Sequence, residues 1–189
     1  MSKVNILVGL SGVGKSTVLE EAMLLSDHDY EVINYGDRFL EIAKDEDVVN
    51  DRDELKNIEV EKFKELQRRA AESIVDDAED EDVIVDTHAA IESPYGFIPG
   101  LPKWTLEHLE PEKIIILDAD PEEIFARSER DEDRDREHES VNDVRLYRDV
   151  AREMAAAGSV MTGAYLKVIE NPPNAAHEAA EELLETLNG

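Results

Sequence analysis

The chain has 189 residues, of which 47 are Asp or Glu and 20 are Lys or Arg, so its formal net charge is −27. This length suits one α/β domain with small lids and is too short for two full domains. The acidic excess argues against nucleic-acid and anionic-membrane partners, because phosphates are neutralised by Lys and Arg. The absence of cysteine excludes disulfides and thiolate metal sites. With no long apolar run and strand-like sequence from the start, we expect a soluble cytoplasmic protein without a signal peptide.

The surplus acid is spread along the chain and does not form one acidic tail. Self-repulsion at this density destabilises a compact state in dilute buffer. Molar salt shortens the Debye length to about 3 Å and relieves that repulsion. We therefore hypothesise that the protein works in the salt-rich cytoplasm of a halophile, with an ordinary acidic protein as the alternative.

Apolar, β-rich runs alternate with helical patterns along the chain. Strands are predicted at 4–10, 31–35, 82–87, 113–119 and 165–170. Helices are predicted at 15–26, 37–44, 60–78, 121–127, 141–157 and 175–187. The runs VIV and IIIL, in the third and fourth strands, are typical of strands buried on both faces. The alternation predicts a doubly wound α/β fold with a parallel sheet.

Three stretches interrupt this alternation. Residues 45–53 are acidic, residues 93–102 are rich in Pro and Gly, and residues 128–140 are almost entirely charged. We predict a loop without regular elements at 93–102 and a mobile, solvated loop at 128–140. Such insertions above a sheet are where ligand-binding loops collect.

The segment GLSGVGKS, which begins at Gly9, matches the phosphate-binding pattern G-x-x-x-x-G-K-[ST]. A predicted strand precedes it and a predicted helix follows it, as the pattern requires. The glycines allow a tight turn whose N–H groups face anionic oxygens, and the helix N-terminus adds positive potential there. In this pattern Lys15 reaches the β- and γ-phosphates and the Ser16 hydroxyl binds Mg²⁺. The motif predicts nucleoside triphosphate binding, and it does not identify the reaction.

Acidic side chains follow two of the buried strands. Asp86 ends the third strand, where a carboxylate can hold Mg²⁺ through water. Asp118 and Asp120 end the fourth strand and compete for that role. Asp120 is also the natural N-cap of the helix that Pro121 opens.

The chain length and the residues outside the phosphate loop limit which reactions are compatible with the sequence. No N-K-x-D sequence for reading guanine is present, and mechanical ATPases are usually larger. A small-molecule kinase fits the length. Phosphoryl transfer does not need a protein nucleophile; it depends on positively charged groups that hold the phosphates in a site from which water is excluded. In this acidic chain seven arginines are bunched near the charged loop, which favours such a clamp over a merely solubilising surface. They are Arg127, Arg130, Arg134, Arg136, Arg145, Arg148 and Arg152.

Along essentially its whole length the sequence resembles the archaeal-type adenylate kinases. The segments that carry the resemblance are GLSGVGKST from Gly9, INYGD at 33–37, RDE at 52–54, DTH at 86–88, FIPGLP at 97–102, ADPEE at 119–123, and Arg152 with the later TGA at 162–164. The resemblance implies the reaction ATP + AMP ⇌ 2 ADP with Mg²⁺. It also implies a single-domain, three-layer P-loop fold with a five-stranded parallel sheet and helices on both faces. An AMP-binding helical insertion at about 37–80, a short lid at about 128–140 and assembly as a homotrimer complete the implied features.

The resemblance also assigns roles to residues. ATP would bind to Gly9, Leu10, Ser11, Gly12, Val13, Gly14, Lys15, Ser16 and Thr17. AMP would bind at Gly36, Arg52, His88 and Gly100. The implied catalytic residues are Lys15, Arg130, Arg134 and Arg152, and the implied metal residues are Ser16 and Asp86. His88 is not expected to be a general base, because the attacking AMP phosphate oxygen is already anionic.

Two alternatives stay open at this point. One is another nucleotide or small-molecule kinase with the same loop. The other is an ATP-dependent assembly factor of adenylate-kinase-like shape with little kinase activity.

Overall fold

The computed structural model describes residues 3–78, 81–93, 95–130 and 140–189, without the side chains of residues 53, 56, 57 and 130. Its strands are β1 (Val4–Val8), β2 (Tyr30–Asn34), β3 (Asp82–Thr87), β4 (Ala90–Ser93), β5 (Gly96–Pro99), β6 (Lys113–Asp118) and β7 (Tyr165–Glu170). Its α-helices are α1 (Lys15–Leu25), α2 (Tyr35–Asp45), α3 (Val60–Asp77), α4 (Lys103–Leu109), α5 (Pro121–Arg130), α6 (Val141–Thr162) and α7 (Ala176–Asn188). A short 3-10 helix covers Arg52–Asn57. No helix within the described ranges is both long and apolar enough to cross a membrane.

Five strands form one parallel sheet in the order β2-β3-β1-β6-β7. The central strands β1 and β6 are buried at every position, which explains their nearly continuous apolar sequence. The predicted five-stranded parallel sheet is therefore confirmed. Because β1 lies between β3 and β6, the carboxyl ends of these three strands meet at one edge of the sheet.

Helices cover both faces of this sheet. Neighbouring residues of a strand point to opposite faces. Lys113 faces α7, since its Nζ lies 3.4 Å from the Leu187 carbonyl oxygen. Ile114 faces α6, because a Cβ added at Gly158 would lie 3.3 Å from Ile114 Cδ1. The predicted three-layer arrangement is thus confirmed.

The predicted loop at 93–102 is wrong in part. Antiparallel strands β4 and β5 form a hairpin here, with Ile91 opposite Ile98 and Glu92 opposite Phe97. The strands are short and pair only with each other, so Pro99 at the end of β5 removes no bond from a central ladder. Helix α4 was also missed, because its seven residues are too few to show a helical period.

Several boundaries differ from the prediction. Tyr35 begins α2 and does not end β2, because the Asn34 side chain caps the helix by accepting from the Asp37 N–H. Helix α5 runs three residues into the predicted mobile loop. Helix α6 continues to Thr162, where Gly163 with φ 78° ends it in the left-handed conformation.

Candidate active site

The phosphate loop joins β1 to α1 at the edge of the sheet where the parallel strands end. Gly12 and Gly14 have φ of 82° and 97°, a conformation that favours glycine. Lys15 begins α1 and is buried, and its Nζ donates to the Gly9 carbonyl at 3.3 Å. The lysine therefore folds back over the loop instead of extending into solvent. This is the geometry expected of a loop that encloses a polyphosphate.

Asp86 lies beside this loop at the carboxyl end of β3. Its Oδ1 is 3.4 Å from Lys15 Nζ, and its Oδ2 accepts from Asn34 Nδ2 at 3.2 Å. Oδ1 is buried and has no hydrogen-bond partner among the described residues. A buried carboxylate oxygen without a hydrogen bond suits a Mg²⁺ ion or one of its waters, because Mg²⁺ prefers oxygen ligands.

Ser16, the second predicted metal residue, follows Lys15 and is exposed in the first turn of α1. Within the described residues there is no group of three or more His, Asp or Glu side chains placed to hold a metal ion. In phosphoryl-transfer sites Mg²⁺ is held through one or two protein oxygens together with substrate phosphates and water. Ser16 and Asp86 fit such a partial set of ligands.

The predicted AMP residues fall into two groups. The first lies at the start of α2, where a Cβ added at Gly36 would be 4.0 Å from Arg52 Nη1. Arg52 also forms an ion pair with Asp37. Asn34, which precedes α2, pairs in register with Asp86 on β3. Because Asp86 lies beside Lys15, Gly36 and Arg52 are close to the phosphate loop.

The second group lies just after β3. Gly100 is buried, and its N–H donates to the Ala89 carbonyl at 2.9 Å. A Cβ at Gly100 would lie 1.9 Å from the His88 carbonyl oxygen, so only glycine allows the two backbones to approach this closely. The fold thus brings His88 and Gly100 together, although they are twelve positions apart in the sequence.

Asp118 does not serve as an alternative metal residue. It is 3% exposed, and its carboxylate accepts from Arg148 Nε at 2.8 and 3.0 Å and pairs with Arg152 Nη1 at 3.2 Å. The hydrogen bond that Arg148 donates to this carboxylate raises the pKa of Arg148 above its usual value. Asp120 instead caps α5, since its Oδ1 accepts from the Glu122 N–H at 2.9 Å.

Comparison with known proteins decides the family. A model for an AAA domain matches residues 8–145. The adenylate kinase of Methanothermobacter thermautotrophicus is 41% identical over 185 residues, covering 98% of this chain and 99% of that protein. The adenylate kinase of Methanopyrus kandleri is 42% identical over 189 residues, covering 99% of this chain and 98% of that protein. The chain belongs to the adenylate kinase family.

Comparison with solved structures shows that this chain has the fold of P-loop kinases. Shikimate kinase from Acinetobacter baumannii has a TM-score of 0.61, and the match covers 100% of this chain and 94% of that chain. Shikimate kinase from Bacteroides thetaiotaomicron has a TM-score of 0.60, with 99% of each chain covered. Their identities of 18% and 16% limit the likeness to the fold.

Of the three predicted catalytic arginines, only Arg152 has a side chain within the described part of the structure. Arg152 lies on α6 and pairs with Asp118 at the site edge of the sheet. Arg130 is the last residue of α5, and its side chain lies outside the described part, as does all of Arg134.

Sequence reasoning did not foresee the contacts of three polar residues around the phosphate loop. Arg127 and Arg148 were grouped with the other arginines, but their contacts to Val13 and Asp118 were not expected. Asn171, which also contacts the loop through the Val13 carbonyl, was missed altogether. The available signal for Asn171 was its position directly after β7, since polar residues at the carboxyl ends of parallel strands face the ligand edge.

Proposed function

We propose that the protein transfers the γ-phosphoryl group of ATP to AMP and so produces two ADP. The single observation that supports this most is the position of Asp86 between two candidate nucleotide sites. One of its carboxylate oxygens faces Lys15 of the phosphate loop, and the other binds Asn34 at the start of the Gly36 and Arg52 group. Two nucleotides on either side of Asp86 would bring donor and acceptor phosphates together.

In the proposed mechanism ATP lies on residues 9–17, and Lys15 stabilises the transferred phosphoryl group. AMP lies between the Gly36 and Arg52 group and the His88 and Gly100 group. An AMP phosphate oxygen is the nucleophile and needs no protein base. Holding both nucleotides in line supplies most of the rate enhancement, by positioning and by stabilising charge.

We assign Mg²⁺ to Ser16 and Asp86. When bound, the ion supplies positive charge that neutralises the β- and γ-phosphate oxygens. The buried Oδ1 of Asp86 without a hydrogen bond supports this assignment. Asp86 would also help to direct the Lys15 side chain at the loop, which its position 3.4 Å from Nζ allows.

We further propose one domain, with an AMP-binding insertion at about 37–80 and a lid at about 128–140. The insertion corresponds to α2, the 3-10 helix and α3. The lid would carry Arg130 and Arg134, while Arg152 contributes from α6. Lid closure over ATP would exclude water, so that the phosphoryl group reaches AMP and is not hydrolysed.

A coupled assay of ADP formation from ATP with each nucleoside monophosphate tests the reaction. We expect AMP to give the highest kcat/KM. A higher value with another monophosphate would assign a different nucleotide kinase activity. Binding of two adenosines joined through five phosphates then tests for two sites, because this analogue gains affinity only if both nucleotides are held at once.

We propose that this kinase works in a salt-rich cytoplasm, as the net charge of −27 suggests. Screening by molar KCl reduces repulsion among its carboxylates. The melting temperature should rise between low and molar KCl. An unchanged melting temperature would show an ordinary acidic protein.

We also propose a homotrimer. Edge strand β7 and the end of α6 expose the large apolar side chains Val160, Met161, Tyr165 and Leu166. Exposed apolar side chains beside an unpaired strand edge are typical of an association surface. Light scattering should give three times the 21.3 kDa chain mass. A monomer mass at the working concentration would reject this proposal.

A further inference from the structure

The backbone carbonyl of Val13, inside the phosphate loop, accepts hydrogen bonds from two side chains outside the loop. Arg127 Nη1 donates to it at 3.0 Å, and Asn171 Nδ2 donates at 2.8 Å. Arg127 lies on α5 and Asn171 directly follows β7, so each donor is more than one hundred positions from Val13 in the sequence. A carbonyl with two lone pairs is fully satisfied by such a pair of donors.

Both donors are themselves held in place. Asn171 is 4% exposed, and its backbone N–H donates to the Asp118 carbonyl at 2.7 Å. Arg127 Nε donates to Glu123 Oε1 at 3.0 Å, and Nη2 donates to the Asn171 carbonyl at 3.3 Å. The two side chains therefore form one hydrogen-bonded unit beside the loop, with both donors already directed at the Val13 carbonyl.

The direction of the Val13 carbonyl determines the direction of the next N–H. The peptide between Val13 and Gly14 is planar and trans, so its C=O and N–H point in opposite directions. Drawing the carbonyl outward towards Arg127 and Asn171 turns the Gly14 N–H inward, into the loop. The left-handed φ of 97° at Gly14 belongs to this arrangement, and a Cβ there would lie 2.6 Å from Asn171 Nδ2.

We propose that Arg127 and Asn171 are positioning residues, which act through the Val13–Gly14 peptide to direct the Gly14 N–H at the polyphosphate of ATP. They also strengthen that donor, because hydrogen bonds to a carbonyl polarise its peptide unit. The proposal deepens the proposed function and depends on ATP binding at this loop. The proposal also gives a second reason for glycine at position 14, because a side chain there would collide with Asn171, which binds the Val13 carbonyl.

Steady-state kinetics of Asn171→Ala and Arg127→Met test this role. We expect KM for ATP to rise about tenfold in each variant, as loss of one oriented donor to a charged phosphate implies. KM for AMP should stay within about twofold and kcat within about threefold, because the N–H binds phosphate in the ground state as well as in the transition state. Arg127→Lys, which keeps one charged donor, should recover part of the ATP affinity.

A ligand without a base separates this role from a contact to adenine. Inorganic tripolyphosphate, used as an inhibitor competitive with ATP, should lose affinity in both variants by the same factor as ATP. The double variant should lose little more than the worse single variant, since both residues act on one carbonyl. Lys167→Gln, on the strand before Asn171 and paired at the surface with Glu182, is the charge control and should match the unchanged protein.

Unaltered KM for ATP and unaltered tripolyphosphate inhibition in folded Asn171→Ala and Arg127→Met would overturn the proposal. Equal rises in KM for ATP and AMP would also overturn it, because they would indicate a general structural defect. Thermal melting of each variant shows that it is folded. Failure of the proposed function itself looks different, since the unchanged protein would then form no ADP from ATP and AMP, or would prefer another phosphoryl acceptor.

Discussion

Lys15 and Asp86 meet at 3.4 Å between Nζ and Oδ1, although 71 positions separate them in the sequence. The lysine opens α1 after β1, and the aspartate ends the adjacent strand β3, whose residues are in register with β1 from Val4 to Val8. The parallel pairing of these two strands creates the contact. It places a cation and an anion side by side where the phosphate loop opens, with Lys15 9% exposed and Asp86 17% exposed.

The variant Lys15→Ala should lose at least about a thousandfold in kcat, because it removes the charge that the proposed mechanism places at the transferred phosphoryl group. Its melting temperature should change little, since the 3.4 Å ion pair is long and Asp86 keeps its hydrogen bond from Asn34. The coupled ADP assay and thermal denaturation measure the two effects. Lys103→Ala, an exposed lysine paired with Glu107 on α4, is the control. Near-normal turnover in folded Lys15→Ala would defeat the mechanism.

The variant Asp86→Asn should need more Mg²⁺ for half-maximal rate, by about tenfold or more, because an amide is a much weaker magnesium ligand than a carboxylate. Its kcat should also fall, since Lys15 loses its anionic partner. Titration of the rate with MgCl₂ at fixed ATP measures the shift, and chelation with EDTA should abolish activity in both proteins. An unchanged Mg²⁺ requirement would exclude Asp86 from the metal site.

The variant Asp118→Asn should be less stable by about 3 kcal/mol, because removing one partner of a buried pair leaves Arg148 and Arg152 without their carboxylate. Urea denaturation measures the free energy of unfolding. Asp29→Asn, at an exposed position between α1 and β2, is the matched control and should change stability by less than about 0.5 kcal/mol. Equal stability of the two variants would show that the arginines do not depend on Asp118.

The variant Tyr35→Phe should change how stability depends on alkaline pH. The Tyr35 hydroxyl donates to the Gln67 carbonyl at 3.0 Å and lies 3.2 Å from Thr105 Oγ1. Burial raises the pKa of Tyr35 to about 12, from 10.0. The folded state therefore holds this proton more tightly than the unfolded chain does. Its contribution is complete below pH 10 and is lost between pH 10 and about 12.

Tyr35→Phe should consequently cost about 1–2 kcal/mol at pH 7, through the lost hydrogen bonds. It should also show a smaller fall in stability from pH 10 to 12 than the unchanged protein. Urea denaturation across this pH range measures both effects. Tyr95→Phe is the control, because Tyr95 is fully exposed. Parallel pH curves for Tyr35→Phe and the unchanged protein would contradict the assigned pKa.

The variant Gly100→Ala should raise KM for AMP more than KM for ATP. Its Cβ would lie 1.9 Å from the His88 carbonyl oxygen, so one of the two backbone segments must move. Gly36→Ala offers a graded comparison, because its Cβ would meet Asn34 Oδ1 at an ordinary 3.4 Å. Its effect on KM for AMP should be the smaller. The opposite order would remove Gly100 from the AMP site.

Local pattern was sufficient for the elements whose sequence signal is self-contained. Strands β3 and β7 coincide with the predicted 82–87 and 165–170, because each is a β-rich run bounded by polar or helix-forming residues. The phosphate loop follows from the spacing of its glycines and lysine. The hairpin was not predictable in the same way, since β4 and β5 are four residues each and are stabilised only by pairing with each other.

The amino-acid sequence alone was enough to predict the alternating α/β architecture and the phosphate-binding loop, because hydrophobic periodicity and glycine spacing are local properties of a few neighbouring positions. Tertiary structure alone decided that Asp118 would bind Arg148 and Arg152 and that Asn171 would reach Val13. Such pairings depend on which strands are adjacent and where each one ends. A contact between polar groups that are far apart in the sequence produces no recognisable periodic pattern in either segment.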